Sequence, residues 1–359
     1  TVSLSVFFAF QIGSVFVSLN PGVSGKSEFN NILTCLVPFM MAATLVRTRA
    51  DVTLIMRTLV ICTGIVGVVV LFETILHKNL YVAAFGRFIN YSTTWLSRIF
   101  VGGERDGRMR AFGPFEVYLS LAEYLTATIP FVMYFIERAR SGYQRALYSL
   151  ILVMSIYGVF ATDSRTSILS MLVLLTIYCV IKAALFLVRN PKSSARPIVV
   201  LALMGLIFAG PVGFVAAGRA MHWQDAIGAG GSRSIQVQLA IPKIKHRPIL
   251  GYGFGLSGEV LGYRPNGVDG SIDSHYLGIA LDSGIISLLA FIMIPGITML
   301  VAFRRAVRNT PDSALFLSLG LSVLAFTIVR ATLSATENLN LFYNVMGTIL
   351  ALTMLLREE

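Results

Sequence analysis

The chain has 359 residues, of which 55% are hydrophobic and 13% charged, and its mean hydropathy is +0.76. These values exclude an ordinary soluble domain. The formal net charge is +11, from 29 Lys and Arg against 18 acids, a balance that raises nucleic acid as a partner until the basic residues are placed along the chain.

Apolar runs long enough for a bilayer core of about 30 Å, or about 20 helical residues, follow in order at 1–19, 30–46, 52–76, 112–136, 146–162, 166–188, 198–217, 284–303, 313–331 and 338–356. They are apolar on all sides, whereas strands of a closed barrel alternate, so helices are expected. The predicted fold is an all-α polytopic membrane protein: one transmembrane domain over 1–359, a bundle of about ten helices in this chain. Two outward-facing loop segments, 77–111 and 218–273, carry short interfacial helices. The chain opens at Thr1 inside the first run, without methionine or leader, so one or two helices are expected ahead of it, about twelve in the full length.

Lys and Arg in the connections set the orientation. One alternating set holds Arg47 and Arg49; Arg138, Arg140 and Arg145; Arg189, Lys192 and Arg196; Arg304, Arg305 and Arg308; and Arg357. The short connections of the opposite set hold only Lys26 and Arg165, and 332–337 holds none. The first set is expected in the cytoplasm, the second outside. Orientation thus accounts for many of the basic residues, and nothing resembles a nucleic-acid module, so no nucleic-acid partner is expected. It leaves unexplained Lys78, Arg87, Arg98, Arg105, Arg108 and Arg110 in one outward loop, and Arg219, Arg233, Lys243, Lys245, Arg247 and Arg264 in the other. Their charge asks for an anionic partner.

In 77–111, Phe85, Ile89, Trp95, Leu96, Ile99 and Phe100 recur at spacings near three and four, which predicts a helix lying in the outer interface. The glycines of 218–273, with Pro242, Pro248 and Pro265, predict a short helix near 231–246 followed by irregular chain, where function often resides. Cys35, Cys62 and Cys179 lie in apolar runs without metal or redox spacing and read as packing residues.

Four places on the outward face combine residue types that carry chemistry. In "GRMRAFGPFEVYLSLAEYL", Arg110 precedes a spanning helix with Gly113 and Pro114 at its first turn; it either binds a ligand or snorkels to head groups. In "ATDSRTSILSML", a tight hairpin carries Asp163 and Arg165; Asp163 or Ser164 is a candidate helix cap, and Arg165 has almost no loop to carry it into water. In "GGSRSIQVQLAIPKIKHRPILGYGFG", Arg233 opens the loop helix, and Lys243, Lys245 and Arg247 read as electrostatic lining. The embedded "GFGLSG" matches G-x-G-x-x-G formally, with Asp273 twenty residues on, but lacks the flanking strand that a dinucleotide site needs. In "SIDSHYLGIALDSGIISLL", Asp273, Ser274 and His275 stand at the mouth of a helix. Asp273 or Ser274 is a candidate N-cap, and His275 is set apart from His222 and His246 by position.

Guanidinium forks match phosphate oxygens bidentately and stay charged, while an imidazole accepts a proton near neutral pH. A phosphate leaving group and a proton-bearing nucleophile are what such groups would serve.

From about residue 108 onward, "RMRAFGPFEVYLSLAEYL", "ATDSRTSILSMLVLL", "SRSIQVQLAIPKIKHRPILGYGFG" and "DSHYLGIALDSGIISLL" resemble, in order and separation, the O-antigen ligase and polymerase superfamily of bacterial inner-membrane glycosyltransferases. The resemblance implies transfer of a glycan from an undecaprenyl-pyrophosphate carrier to an acceptor hydroxyl at the periplasmic face, without metal or other cofactor. Arg165 and Arg233 match arginines that engage the pyrophosphate, His275 matches the histidine that activates the acceptor, and Arg110 looks like the basic residue opening the earlier helix. The acceptor would be a lipid A core or another carrier-linked glycan, with membrane lipids around the bundle. Tyr276 stands where an asparagine often follows the histidine, Phe115 and Glu116 where a Pro-Asn pair is common, and Val237 where an aromatic is expected four after Arg233. These departures concern subfamily. A transporter or flippase for an anionic lipid or solute is the rival reading; Arg57, Lys182 and Arg330 near run ends, where snorkelling is cheap, argue for chemistry at the outer mouth instead.

Overall fold

A computed structural model describes residues 2–85, 104–105, 108–190, 192–195, 197–202, 231–264, 272–308 and 310–358 of the protein. In chain order they form α1 (Val2–Phe16), α2 (Pro21–Leu45), α3 (Arg49–Leu76), α4 (Leu80–Phe85), β1 (Glu104–Arg105), β2 (Arg108–Met109), α5 (Tyr118–Arg138), α6 (Gly142–Ala161), α7 (Arg165–Arg189), α8 (Ser232–His246), α9 (Ser257–Leu261), α10 (His275–Ala306), α11 (Ser313–Val329) and α12 (Leu339–Glu358). The strands are a two-residue antiparallel ladder, Glu104 opposite Met109 and Arg105 opposite Arg108.

Seven of these helices, α2, α3, α5, α6, α7, α10 and α12, are long and apolar enough to cross a membrane. α1 and α11 are apolar but shorter, about 23–26 Å at 1.5 Å per residue. The protein is thus an all-helical polytopic membrane protein. The apolar runs read from the sequence coincide with these helices, except that 198–217 lies outside the described residues beyond 202. The interfacial helix expected around Ile89 to Phe100 lies outside them too. Of the three cysteines, only Cys35 is buried; Cys62 and Cys179 are exposed on their helices, because each falls on an outer face of a span.

Local chemistry sets several boundaries. Thr48 caps α3 reciprocally: its hydroxyl accepts from the Asp51 N–H at 3.2 Å while the Asp51 carboxylate accepts from the Thr48 N–H at 2.8 Å. Ser141 accepts from the Gln144 N–H at the start of α6, and Ser164 from the Ser167 N–H at the start of α7. α5 begins at Tyr118, later than its apolar run, so Gly113 and Pro114 precede the helix. The cause is Gly113, whose φ of 54° is left-handed and whose N–H is drawn to Glu73 at 2.8 Å.

The chain divides into two compact units, Thr1–Asn30 with Leu172–Ile294 and Asn31–Met171 with Pro295–Glu359. In the second, α5 is buried along nearly its whole length and packs against α3, α6 and α11. Glycines permit the close approach: a Cβ on Gly158 would stand 2.6 Å from Leu125, and one on Gly347 of α12 would stand 2.3 Å from the Phe39 carbonyl oxygen. Arg330 does not snorkel. It is fully buried and grips Glu123 of α5 bidentately, Nε to Oε1 and Nη2 to Oε2 both at 2.8 Å. Asn338 donates to Glu123 Oε2 at 3.0 Å, and Arg330 also donates to the Ala335 carbonyl. A charge this deep is stable only when so paired.

In the first unit the governing feature is a break in α10. Gly284 has φ 86° and ψ 177°, a conformation open to glycine. On a continuous helix His275 and Phe291, sixteen residues apart, would be separated by about 24 Å. Their rings lie 5.2 Å apart, so the chain reverses at Gly284 and the segment 275–283 folds back on 285–291. The loop after α8 takes up the backbone groups freed by the break: Ile285 N–H donates to the Pro248 carbonyl at 2.8 Å, Tyr252 N–H to Leu281 at 2.9 Å and Gly253 N–H to Asp282 at 3.0 Å.

Candidate functional site

The site residues of the first unit are built around Asp273. α8 carries Arg233 and, three residues on along the same face, Gln236. Arg233 Nε stands 3.9 Å from Asp273 Oδ2, and the buried Gln236 accepts from the Asp273 N–H through Oε1 at 2.9 Å. Two residues later His275 begins α10. Ser274 rather than Asp273 caps that helix, its hydroxyl accepting from the Leu277 N–H at 3.4 Å. The imidazole sits edge-on to Phe291; Tyr276 packs on the same ring at 5.8 Å and Phe7 at 5.4 Å. Arg233 and His275 are therefore brought to one place, linked through Asp273.

The remaining basic residues of that loop divide. Lys243 donates to the Val260 and Leu261 carbonyls at the end of α9. Arg247 lies over the Tyr252 ring at 5.0 Å and donates to the Val17 carbonyl at 3.3 Å. Lys245 is exposed. The "GFGLSG" stretch is a loop into the five-residue α9, with no strand ahead of it among the described residues. Its glycines serve close packing: a Cβ on Gly253 would stand 2.1 Å from the Ser18 hydroxyl, and one on Gly255 would stand 2.6 Å from that of Ser27.

Asp282, beside the break, was not singled out by the sequence. Its carboxylate is buried and accepts from the Ser257 N–H at 2.6 Å and the Ser257 hydroxyl at 3.2 Å. This ties α9 to the 275–283 segment. The only local signal was an acid inside an otherwise apolar stretch, two residues before a glycine.

The second unit holds Arg110, Asp163 and Arg165. The Arg110 guanidinium lies over the Tyr118 ring at 4.3 Å and 3.6 Å from Asp163 Oδ2. Asp163 adopts φ 51° at the tip of the hairpin, and the Ala111 N–H donates to the Ala161 carbonyl at 3.1 Å. The approach to Arg110 is thus fixed to the hairpin that carries Arg165, the first residue of α7.

Glu73, a lone acid late in its apolar run, anchors this region. Its carboxylate accepts from Leu80 N–H at 3.1 Å, Phe112 N–H at 3.1 Å and Gly113 N–H at 2.8 Å. Glu116 donates its N–H to Glu337 Oε1 at 2.7 Å. Burial pushes the Glu337 carboxyl above its ordinary range, against the hydrogen bonds from Ser120 and the Glu116 N–H, and the like charge of Glu116 adds to the rise.

Burial also raises the Asp273 carboxyl above its ordinary value of 3.8, while Arg233 and Gln236 pull it down. The folded protein therefore holds this proton more tightly than the unfolded chain does. Stability falls as pH rises from 3.8 through the higher folded value, and is level above it. Asp273→Asn should remove that slope; unfolding midpoints of the two proteins measured across the acid range would check it, and identical pH dependence would contradict it.

Helical spans, with Arg165 opening one of them and His275 opening a folded-back segment, define a polytopic membrane protein. Residues 150–292 match the family model described as O-Antigen ligase. Over this segment the chain is similar to O-antigen ligases. The segment includes Arg165, Arg233 and His275 and begins after Arg110. Among curated proteins, none matches the chain.

Proposed function

We propose that the protein is a metal-independent, inverting glycosyltransferase that moves a glycan from an undecaprenyl-pyrophosphate carrier to an acceptor sugar hydroxyl at the periplasmic face of the inner membrane. The acceptor is a lipid A core or a second carrier-linked glycan. What carries this reading is that the segment matching the O-antigen ligase model contains Arg233 and His275, joined through Asp273.

In the proposed reaction neutral His275 accepts the proton of the acceptor hydroxyl as its oxygen attacks the anomeric carbon. The bond from that carbon to the phosphate oxygen breaks, and the electron pair leaves with the pyrophosphate. Arg233 and Arg165 stabilise the growing charge on the leaving group, while Arg110, Lys243, Lys245 and Arg247 contribute positive potential. A single displacement inverts the anomeric centre.

The test is incubation of purified protein with carrier-linked oligosaccharide and each candidate acceptor, scored by which acceptor gains mass. Within that assay, Arg233→Ala is expected to lower transfer by about a hundredfold or more, and Arg233→Lys to recover only part of it, because an ammonium is a point charge and not a fork. Equal activities of the two variants would argue against a bidentate phosphate contact. The transporter reading draws on the buried Glu123 and Arg330, but that pair is closed on itself and on Asn338, as a packing tie is. Label crossing proteoliposomes unaltered would favour the transporter.

A further inference from the structure

Gln236 belongs to none of the groups that the proposed reaction uses, yet it makes a polar contact between the two segments that do, beside their shared apolar cluster of Ala240, Ile272 and Leu281. It is 2% exposed, although a glutamine on a short loop helix is ordinarily solvated. Its Oε1 accepts from the main-chain N–H of Asp273 at 2.9 Å. The side chain of Asp273 faces Arg233, one turn back on the same helix. One residue is thus held at both ends, its backbone by Gln236 and its carboxylate by Arg233.

The geometry points to Gln236 as a positioning residue that sets the register between Arg233 and His275. The inference rests on the proposed reaction. The two grips on Asp273 differ in kind. The Arg233 contact is long and half-exposed, with 52% of that side chain open to solvent, so it yields readily to a better anion such as a phosphate oxygen. The Gln236 contact is 2.9 Å long, part-buried and made by a neutral side chain that is itself buried, so it persists when Arg233 turns to a ligand. Gln236 therefore remains as a polar tie between α8 and the start of α10, beside the apolar cluster of Ala240, Ile272 and Leu281, during a reaction in which Arg233 is engaged elsewhere. From Asp273 the constraint passes through Ser274, which caps α10, to His275, whose ring rests on Phe291. Loss of the acceptor at Gln236 frees the chain two residues ahead of the imidazole. A displacement of about 1 Å at a reacting group can cost up to about a hundredfold in rate.

Methionine at 236 keeps the length and apolar packing of the side chain and removes the acceptor; glutamate restores an acceptor oxygen. In full-length protein in lipid nanodiscs, with carrier-linked oligosaccharide as donor and active sites counted by donor binding, Gln236→Met is expected to lower kcat per site by about tenfold to a hundredfold. The donor KM should stay within about threefold, since the Arg233 charge is untouched. Gln236→Glu should recover most of the lost kcat. Unchanged kcat per site in Gln236→Met would overturn the assignment, as would a loss shared equally between kcat and donor binding, or one that glutamate does not rescue while its site count is normal. His275→Ala and Arg233→Ala run beside them separate the two levels: full activity in both removes the proposed reaction, whereas inactive controls beside a fully active Gln236→Met remove this inference alone.

Discussion

A His275→Ala protein should fold, bind donor and lose glycan transfer by about two to four orders of magnitude, the usual contribution of a positioned general base. The folding half of that expectation comes from the contacts around the ring. Ser274 supplies the cap of α10, Gln236 fixes the main chain at Asp273, and Phe291 keeps Phe7 and Tyr276 as ring partners. None of these needs the imidazole. The binding half follows from the proposed roles of Arg233 and Arg165, which lie on other segments than His275. Transfer to acceptor measured per donor-binding site decides the matter, and a full rate in the variant would remove His275 from the chemistry.

The second large effect lies at the reversal in α10. Gly284→Ala would set a Cβ 2.2 Å from the Ile249 carbonyl oxygen, 2.5 Å from its carbon and 2.7 Å from the Pro248 oxygen, at φ 86°. A backbone of that kind costs a non-glycine residue about 1–3 kcal/mol, and the overlap with main-chain atoms adds a similar amount. These neighbours cannot turn aside, because Pro248 accepts from Ile285 and the adjoining Tyr252 and Gly253 donate to Leu281 and Asp282. The expected result is a lower unfolding temperature and a loss of transfer, since the segment carrying His275 must shift to make room. Gly296→Ala is the matched control on the same helix: nothing lies within 4 Å of its Cβ position, so it should be close to neutral. Equal behaviour of the two variants would argue against a strained reversal.

Helices were legible because continuous apolar runs leave the backbone no other means of satisfying its polar groups in lipid. The loop helix at Ser232–His246 was legible from glycine and proline punctuation, and the cap at Ser164 from residue type. What local pattern does not encode is where a carboxylate finds its donors. Glu73 reaches Phe112 and Gly113 some forty residues away, and this delays α5 to Tyr118. The reversal at Gly284 was hidden for a related reason. The residues on both sides are apolar and helical, and only the Asp-Ser-Gly of 282–284 interrupts them. The apolar run therefore starts at 284, where the second limb begins, and His275 reads as the mouth of a single helix, although it heads a limb of its own. Among the candidate site residues, arginines and histidine stand out in the sequence because their chemistry is distinctive. Gln236 and Asp282 were missed because a glutamine and an aspartate gain meaning only from the N–H groups they meet.

The Glu123–Arg330 pair bears on how the chain is assembled. Its members are 207 residues apart, so at a synthesis rate of about 5–20 residues per second the acid emerges roughly 10–40 s before its cation. An unaccompanied carboxylate in the hydrocarbon layer is costly. Until α11 is made, α5 carries that cost without the partner that offsets it in the folded chain.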